Sequence, residues 1–485
     1  MKRLITTTLI VLTFTLGYAQ NENDALRIGQ QFYQGTARSM AMGGAFGAIG
    51  ADFSSLSTNP AGLGLFRSSE FSFSPVLTNV TIGSTYNGMF GEDTRTSLNL
   101  ANMGFVSANK VSGTQAPWKY FQIGFGMNRT NNFSQRMFVQ GDNNDHSRVD
   151  VFLDKVTGTS PSAIERIFPY DIYPAWYVYL IDTVRNNEGQ LIYTSPVPKG
   201  GIRQFESTNS WGSTNEWLIS AAGNLNDQVF VGATLGLPYT RYFHETTFTE
   251  KDINNSINGF DEWNFRQYIE TRGWGINLKL GVIAWPIEWL RVGAAVHTPT
   301  WYNQLKDQWH TTIDAKLGPD YNEKSSPKGE FTYQLQTPMR ANGSIAFIIG
   351  QQGIISAEYE HVDYTKMRLR SSDYNFLAEN DAIRDVYAAT NIIKLGGEWR
   401  LSNFSFRGGY SIYASPFKDN INDAAQRNLS LGLGYSEKNF AIDLAFINGE
   451  RKQDYYMYTS ANWNPNPAAQ KITTNQFVVS TRFKF

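Results

Sequence analysis

The chain has 485 residues, with 42 Lys and Arg against 43 Asp and Glu, no cysteine, and 14% Phe, Trp and Tyr beside 42 glycines. A net charge of −1 offers no basic face to nucleic acid, and the lack of cysteine removes disulfides as a means of support. High aromatic content at a mean hydropathy of −0.36 suits strands that are apolar on one face only, and excludes a bundle of membrane-spanning helices.

Lys2 and Arg3 precede an apolar run from Leu4 to Leu16 and then Gly17-Tyr18-Ala19, the pattern of an export signal cut after Ala19. The apolar run is well short of the ~20 residues of a spanning helix. Residues 1–19 are therefore expected to be a signal peptide, which leaves periplasm, exterior or outer membrane as destinations. From Gly35 to Phe66 the chain is dense in Gly, Ala and Ser, and carries only Arg38 and Asp52 as charges. It obeys neither a two-residue nor a sustained 3.6-residue period. Asn59-Pro60-Ala61-Gly62 is turn chemistry within it, with φ fixed by Pro and left free by Gly. Such a segment cannot build a core and needs a container.

After this small-residue segment, alternating runs begin and continue to the last residue. Val229, Val231, Ala233, Leu235 and Leu237 interleave with Phe230, Gly232, Thr234 and Gly236, and Trp274, Ile276, Leu278, Leu280 and Val282 with Gly275, Asn277, Lys279 and Gly281. The same period runs through Leu290–Val296, Phe404–Ile412, Leu429–Tyr435 and Phe440–Phe446, which predicts strands with one apolar face. Tight joints are expected at Leu225–Asp227, Pro286, Gly350–Gly353, Ser402–Asn403 and Ser436–Lys438. Long polar connections are expected near 83–96, 132–212, 249–265, 300–337, 367–390, 414–427 and 449–471. Strict alternation of short and long connections belongs to an outer-membrane barrel, with brief periplasmic turns and long external loops. The fold expected is all-β, a transmembrane antiparallel barrel of about 14 strands over residues 67–485, in the outer membrane of a Gram-negative bacterium.

The longest loop, 132–212, has partly helical spacing from Val149 to Phe168 and an aromatic continuation to Leu180, read as a cap over the barrel mouth. At the C-terminus Phe477, Val479, Phe483 and Phe485 share one face, and a terminal aromatic suits the periplasmic girdle. Phe485 would also be the handle for the barrel-assembly machinery, with outer-membrane lipid around the wall.

Catalytic constellations are not found. His146, His244, His297, His310 and His361 are scattered, without the spacing of a metal site. By parity His297 is a polar lumen residue, and the acids around His361 divide between two faces. No nucleophile elbow or P-loop is present. The chain is read as no enzyme, with no cofactor, metal or nucleic-acid partner.

Three stretches carry a resemblance. Gly50 to Gly64 (G-A-D-F-S-S-L-S-T-N-P-A-G-L-G), Thr337-Pro338 with Gly343–Phe347 and Ile355–Tyr364, and Val292–Tyr302 resemble the FadL/OmpP1/TodX family of outer-membrane transporters for hydrophobic compounds, in the form common among Bacteroidetes. The resemblance implies that residues 20–66 form a hatch, with Asn59, Pro60, Ala61 and Gly62 as its signature, plugging the barrel from inside. It implies further that a bent strand opens a lateral gap. A hydrophobic small molecule, such as a long-chain fatty acid, would then be captured by external loops, pass an apolar pocket and leave through the wall. The alternative is a barrel that serves as an outer-membrane docking component for a partner in protein secretion.

Overall fold

Alternation from Glu70 onward makes strands that bury one face and offer the other to lipid. In the computed structural model, which describes residues 21–32, 34–111, 117–418 and 422–485, these strands close into a 14-stranded antiparallel barrel. The export signal expected at 1–19 lies outside the described residues. The wall is β1 Glu70–Tyr86, β2 Met89–Lys110, β3 Trp118–Asn132 continued by Gln135–Asn143, β4 Ile202–Leu225, β5 Val229–Lys251 and β6 Glu262–Ile287. It goes on through β7 Leu290–His297 continued by Trp301–Leu317, β8 Gly329–Gln336 continued by Arg340–Ile349, and β9 Gly353–Asp363 continued by Arg368–Arg370. It ends with β10 Ala389–Leu401, β11 Phe404–Tyr413, β12 Gln426–Ser436, β13 Phe440–Tyr455 and β14 Ala468–Lys484. β14 pairs with β1 from Glu70↔Lys484 to Thr85↔Ala469, so the sheet has no edge at the closure.

The polarity of the wall inverts along β6 and β1. On β6 the outward Trp274, Ile276, Leu278, Leu280 and Val282 are exposed, a stretch that matches the ~9–11 residues with which a strand crosses a bilayer. The inward Asn277 and Lys279 of that stretch are buried. Higher on the same strand Trp263 and Phe265 are buried inside, while Arg266 is exposed outside. β1 repeats this: Phe71, Phe73 and Leu77 face out below, and Ile82 and Tyr86 face in above. At the lower rim Trp289, Phe404 and Phe485 are exposed, and Phe485 stacks on Phe105 with ring centroids 5.7 Å apart. That is an interfacial aromatic girdle.

Four of the five short joints fall where expected; Pro286 lies within β6 and the joint there is Glu288–Trp289. Several expected loops are strands. Around 83–96, β1 and β2 are joined by Asn87 and Gly88 alone, both at positive φ. The 300–337 excursion is a ladder formed by Trp301–Leu317, Asp320–Ser325 and Gly329–Gln336. Above the bilayer water bathes the outer face, so outward residues turn polar while the backbone ladder continues. A search for outward apolar alternation stops at the membrane boundary, short of the strand end.

The 132–212 excursion holds helices as expected, once the leading helices are counted: α1 Glu22–Gly29, α2 Ala37–Ala41 and α3 Ser55–Thr58 precede α4 Arg148–Val156, α5 Ile164–Ile167 and α6 Ile172–Tyr177. Val149, Phe152, Ile164 and Ile172 pack on Ile82, Tyr86, Phe248, Trp263 and Phe265 of the upper wall in one apolar cluster. The cap therefore closes the mouth by the inward apolar face that the inversion provides.

Candidate functional site

Small side chains allow the leading segment to lie tightly against the wall. Asn59 starts a 3-10 turn at Pro60: its Oδ1 accepts from Ala61 N at 3.2 Å, and its Nδ2 donates to Gly47 O at 2.7 Å and to Val282 O of β6 at 3.2 Å. Gly62 sits where a Cβ would meet Ser55 Oγ at 2.6 Å and Gly50 Cα at 3.0 Å. The wall makes room in turn. A Cβ at Gly232 of β5 would run into the Pro60 carbonyl, one at Gly281 of β6 into Asn59 Oδ1, and one at Gly409 of β11 into Gly43 N. The four residues singled out from sequence are thus buried together against β5 and β6.

Polar contacts tie the same segment down. Thr58 O accepts from His297 Nε2 at 2.8 Å and from Asn342 Nδ2 at 3.1 Å. Gly47 N donates to Glu358 Oε2 at 2.8 Å, and Gln122 Nε2 donates to Gly64 O and Phe66 O at 3.0 and 2.9 Å. The strongest tie is a buried ion network that the sequence reading does not anticipate. Arg38 Nε lies 3.0 Å from Glu398 Oε2, which Arg407 Nε approaches to 2.6 Å, and Asp443 joins Arg407 and Arg482 at 2.7 and 2.8 Å. Burial acts to lower the pKa of Arg38, and the Glu398 carboxylate overrides this and raises it, so the guanidinium stays charged. Charged residues at inward parity (Glu398, Arg407, Asp443, Arg482) were the available signal. His297 is a lumen residue, as its parity indicates, and the exposed His361 bonds Asn391 Oδ1 through Nδ1 at 2.9 Å.

Between this segment and strands β1, β3, β5 and β10–β14 lies a cavity of about 280 Å³. The resemblance implied an apolar pocket, and here the expectation is corrected. Phe32, Met40, Val80, Phe133, Ile447 and Ile472 line part of the cavity, but hydroxyls and amides such as Ser57, Asn128, Ser411, Gln426, Asn428 and Gln476 line as much. The reason is its height: it spans the change of polarity, with Val80 and Ile472 belonging to the upper apolar cluster and Thr78, Thr474 and Gln476 of the same strands lying on its polar side.

The cavity reaches the bend in β3. That strand breaks at Phe133-Ser134, opposite Gly212 of β4, which adopts φ 112°, and Phe133 N bonds Gly212 O at 3.0 Å. Asn131, Asn132, Phe133, Ser134 and Gln135 at the bend all line the cavity. β2 pairs with β3 only from Asn102↔Asn128 to Lys110↔Tyr120, although β2 runs on to Met89. Beyond that point the leading segment takes up the β3 carbonyls: Gln34 N bonds Arg129 O at 3.0 Å and Phe32 N bonds Thr130 O at 2.9 Å. The Arg129 side chain reaches across to Leu100 O and Asn99 Oδ1, both at 3.1 Å. The wall here is laced by side chains, where elsewhere it is closed by a backbone ladder.

No protein-family model and no curated protein matches the sequence. Solved structures do match. A Pseudomonas aeruginosa FadL homologue is similar with a TM-score of 0.60 at 12% identity, over 94% of this chain and 100% of that one. The Pseudomonas putida toluene transporter TodX is similar at 0.54 and 14% identity, over 94% and 100%. The Ralstonia pickettii toluene transporter TbuX is similar at 0.51 and 19%, over 94% and 99%. Likeness at these identities is likeness of fold, and this chain has the barrel fold of those channels.

Proposed function

We propose, from the fold shared with FadL- and TodX-type channels, that this chain is a passive outer-membrane channel for small hydrophobic molecules, with residues 20–66 as its hatch. One observation carries the reading: the cavity lies between the docked leading segment and the inner wall, and adjoins the stretch of wall where the β2–β3 ladder lapses. A ligand loosens the cap, leaves water for the apolar part of the cavity with ~25 cal/mol gained per Å² of apolar surface buried, and departs through the wall at the β3 bend. Its departure into lipid requires the Arg129 bridge to let go. No energy source is needed, because the ligand runs down its own gradient. Asn59, Pro60, Ala61 and Gly62 hold the hatch in register on β5 and β6 while this happens.

A second reading, a docking component for a secretion partner, is favoured by exposed apolar side chains within 132–212: Val184, Leu191 and Ile192 on a hairpin formed by Asp182–Arg185 and Leu191–Thr194, and Tyr177 and Tyr179 just before it. Flux of toluene into liposomes that hold the purified protein separates the two. Saturable flux above that of empty liposomes supports the channel. Absence of flux, with the protein recovered only in complex with a second protein, supports the platform.

A further inference from the structure

Three cations line the cavity, and among the described residues lining it there is no carboxylate. Two are already neutralised. Arg27 is 2.6 Å from Asp24, and Lys394 lies 2.8 and 3.2 Å from Glu358 and Glu360. The third, Arg451 on the inward face of β13, has no ion-pair partner among the described residues, and its buried Nε has no hydrogen-bond partner. Deeper in the lumen Arg38, Arg340, Arg407 and Arg482 each meet a carboxylate, and Arg291, which has none, is instead held by Ile49 O at 3.2 Å and the Trp285 ring.

A guanidinium held inside a protein without a counter-ion costs stability, and such groups are retained where a ligand supplies the missing charge. The ladder neighbours of Arg451 are Gln426 and Ile472, which leaves its fork facing a hydrogen-bonding wall that offers no anion. Elsewhere on the cavity stand four aromatic rings: Phe32 and Tyr413, 5.3 Å apart, and Phe133 and Tyr242, 5.2 Å apart and edge to face. Flat faces and edges of this kind suit a ring, and the fork of an arginine suits a carboxylate bidentately.

We infer that the cavity is a binding site for a small aromatic carboxylate whose acid group pairs with Arg451. The inference rests on the channel reading and narrows its ligand from hydrophobic compounds at large to ring compounds that carry an anion. A neutral hydrocarbon would strip water from Arg451 and the cavity amides and return nothing to them. An aromatic acid restores the charge at one end and uses the rings at the other.

The test compares benzoate with its neutral isostere benzamide, by calorimetry on the full-length protein in non-ionic detergent. Wild type is expected to bind benzoate about tenfold or more tighter, the scale of a charge-assisted hydrogen-bonded pair. Arg451→Gln should abolish that preference and leave benzamide binding unchanged, and Arg451→Lys should restore part of it. Since Arg451 has no partner to orphan, Arg451→Gln should unfold in urea at an equal or higher midpoint. Equal affinity for the two ligands in wild type, an equal loss of both in Arg451→Gln, or a lowered midpoint in that variant would overturn the inference. Toluene flux into liposomes keeps the two readings apart. Flux without a benzoate preference sinks this site and leaves the channel, whereas a benzoate preference that depends on Arg451, without flux of either compound, keeps the site and sinks the channel.

Discussion

The lower lumen and the mouth of this barrel are filled in opposite ways by the same strands. Below, where lipid surrounds the wall, the inward faces of β10, β11, β13 and β14 carry Glu398, Arg407, Asp443 and Arg482, and the leading segment adds Arg38 to their network. Above, where water surrounds the wall, Phe248, Trp263 and Phe265 face inward, and the cap covers them with Val149, Phe152 and Ile164. Along these stretches the inward side chains carry the polarity that the outward ones lack. The lower filling is held by charge and by backbone fitted against glycines, with small apolar contacts such as Leu56 and Leu63 on Leu218 and Ala222. The upper filling is held chiefly by apolar burial, with Glu250 as a buried polar tie. The first is expected to fail all at once when one charge is removed, the second to loosen locally.

The largest expected effect is at the hub of the lower network. Glu398→Ala leaves Arg38, Arg400 and Arg407 without their shared anion, and removal of one partner from a buried ion pair costs about 3–5 kcal/mol. A lowered urea midpoint together with leak conductance in planar bilayers checks it, and an unchanged midpoint would break the contrast between the two fillings. Phe152→Ala should cost a comparable ~3–5 kcal/mol, but only to the cap. Phe152 meets Trp263 and Phe265 at ring-centroid distances of 5.9 Å in each case. Hydrogen exchange should speed up over 148–177 and stay slow in β10–β14.

Smaller is Glu250→Gln. Glu250 accepts from Ser147 Oγ, Arg148 N, Gln204 Nε2 and Trp263 Nε1 at 2.6 to 2.8 Å, and so pins the start of α4 to β4, β5 and β6. Loss of the charge weakens several of these bonds by about 1–3 kcal/mol in sum, read as faster exchange at 147–150. The smallest effect is at the rim. Arg203→Ala breaks a pair with Asp142 that is open to water, worth about 0.2–1 kcal/mol and further screened by salt.

Much of the lower region is legible in the sequence, because lipid outside imposes an apolar outward parity that a two-residue period detects. Trp274–Val282 and Leu429–Tyr435 read as strands on that ground. The upper region reads as loops for the same reason: at Trp263 to Arg266 the alternation persists with its phase reversed, apolar inward and polar outward. The site is less legible. Asn59 to Gly62 stand out as turn chemistry, but their seats at Gly232 and Gly281 show only as small residues of a strand face. Glycine recurring at inward positions of otherwise good strands is the signal that another backbone lies there. Arg451 escapes notice because it falls within 449–471, which reads as an external loop, where a charged residue draws no attention.

The central proposal is that the leading segment, residues 20–66, acts as the hatch, and removal of that segment tests it most directly. The chain without Gln20–Arg67, refolded and placed in planar bilayers, should show large, stable conductance steps that the full-length protein lacks. Equal conductance of the two proteins, with both barrels folded, would contradict the account.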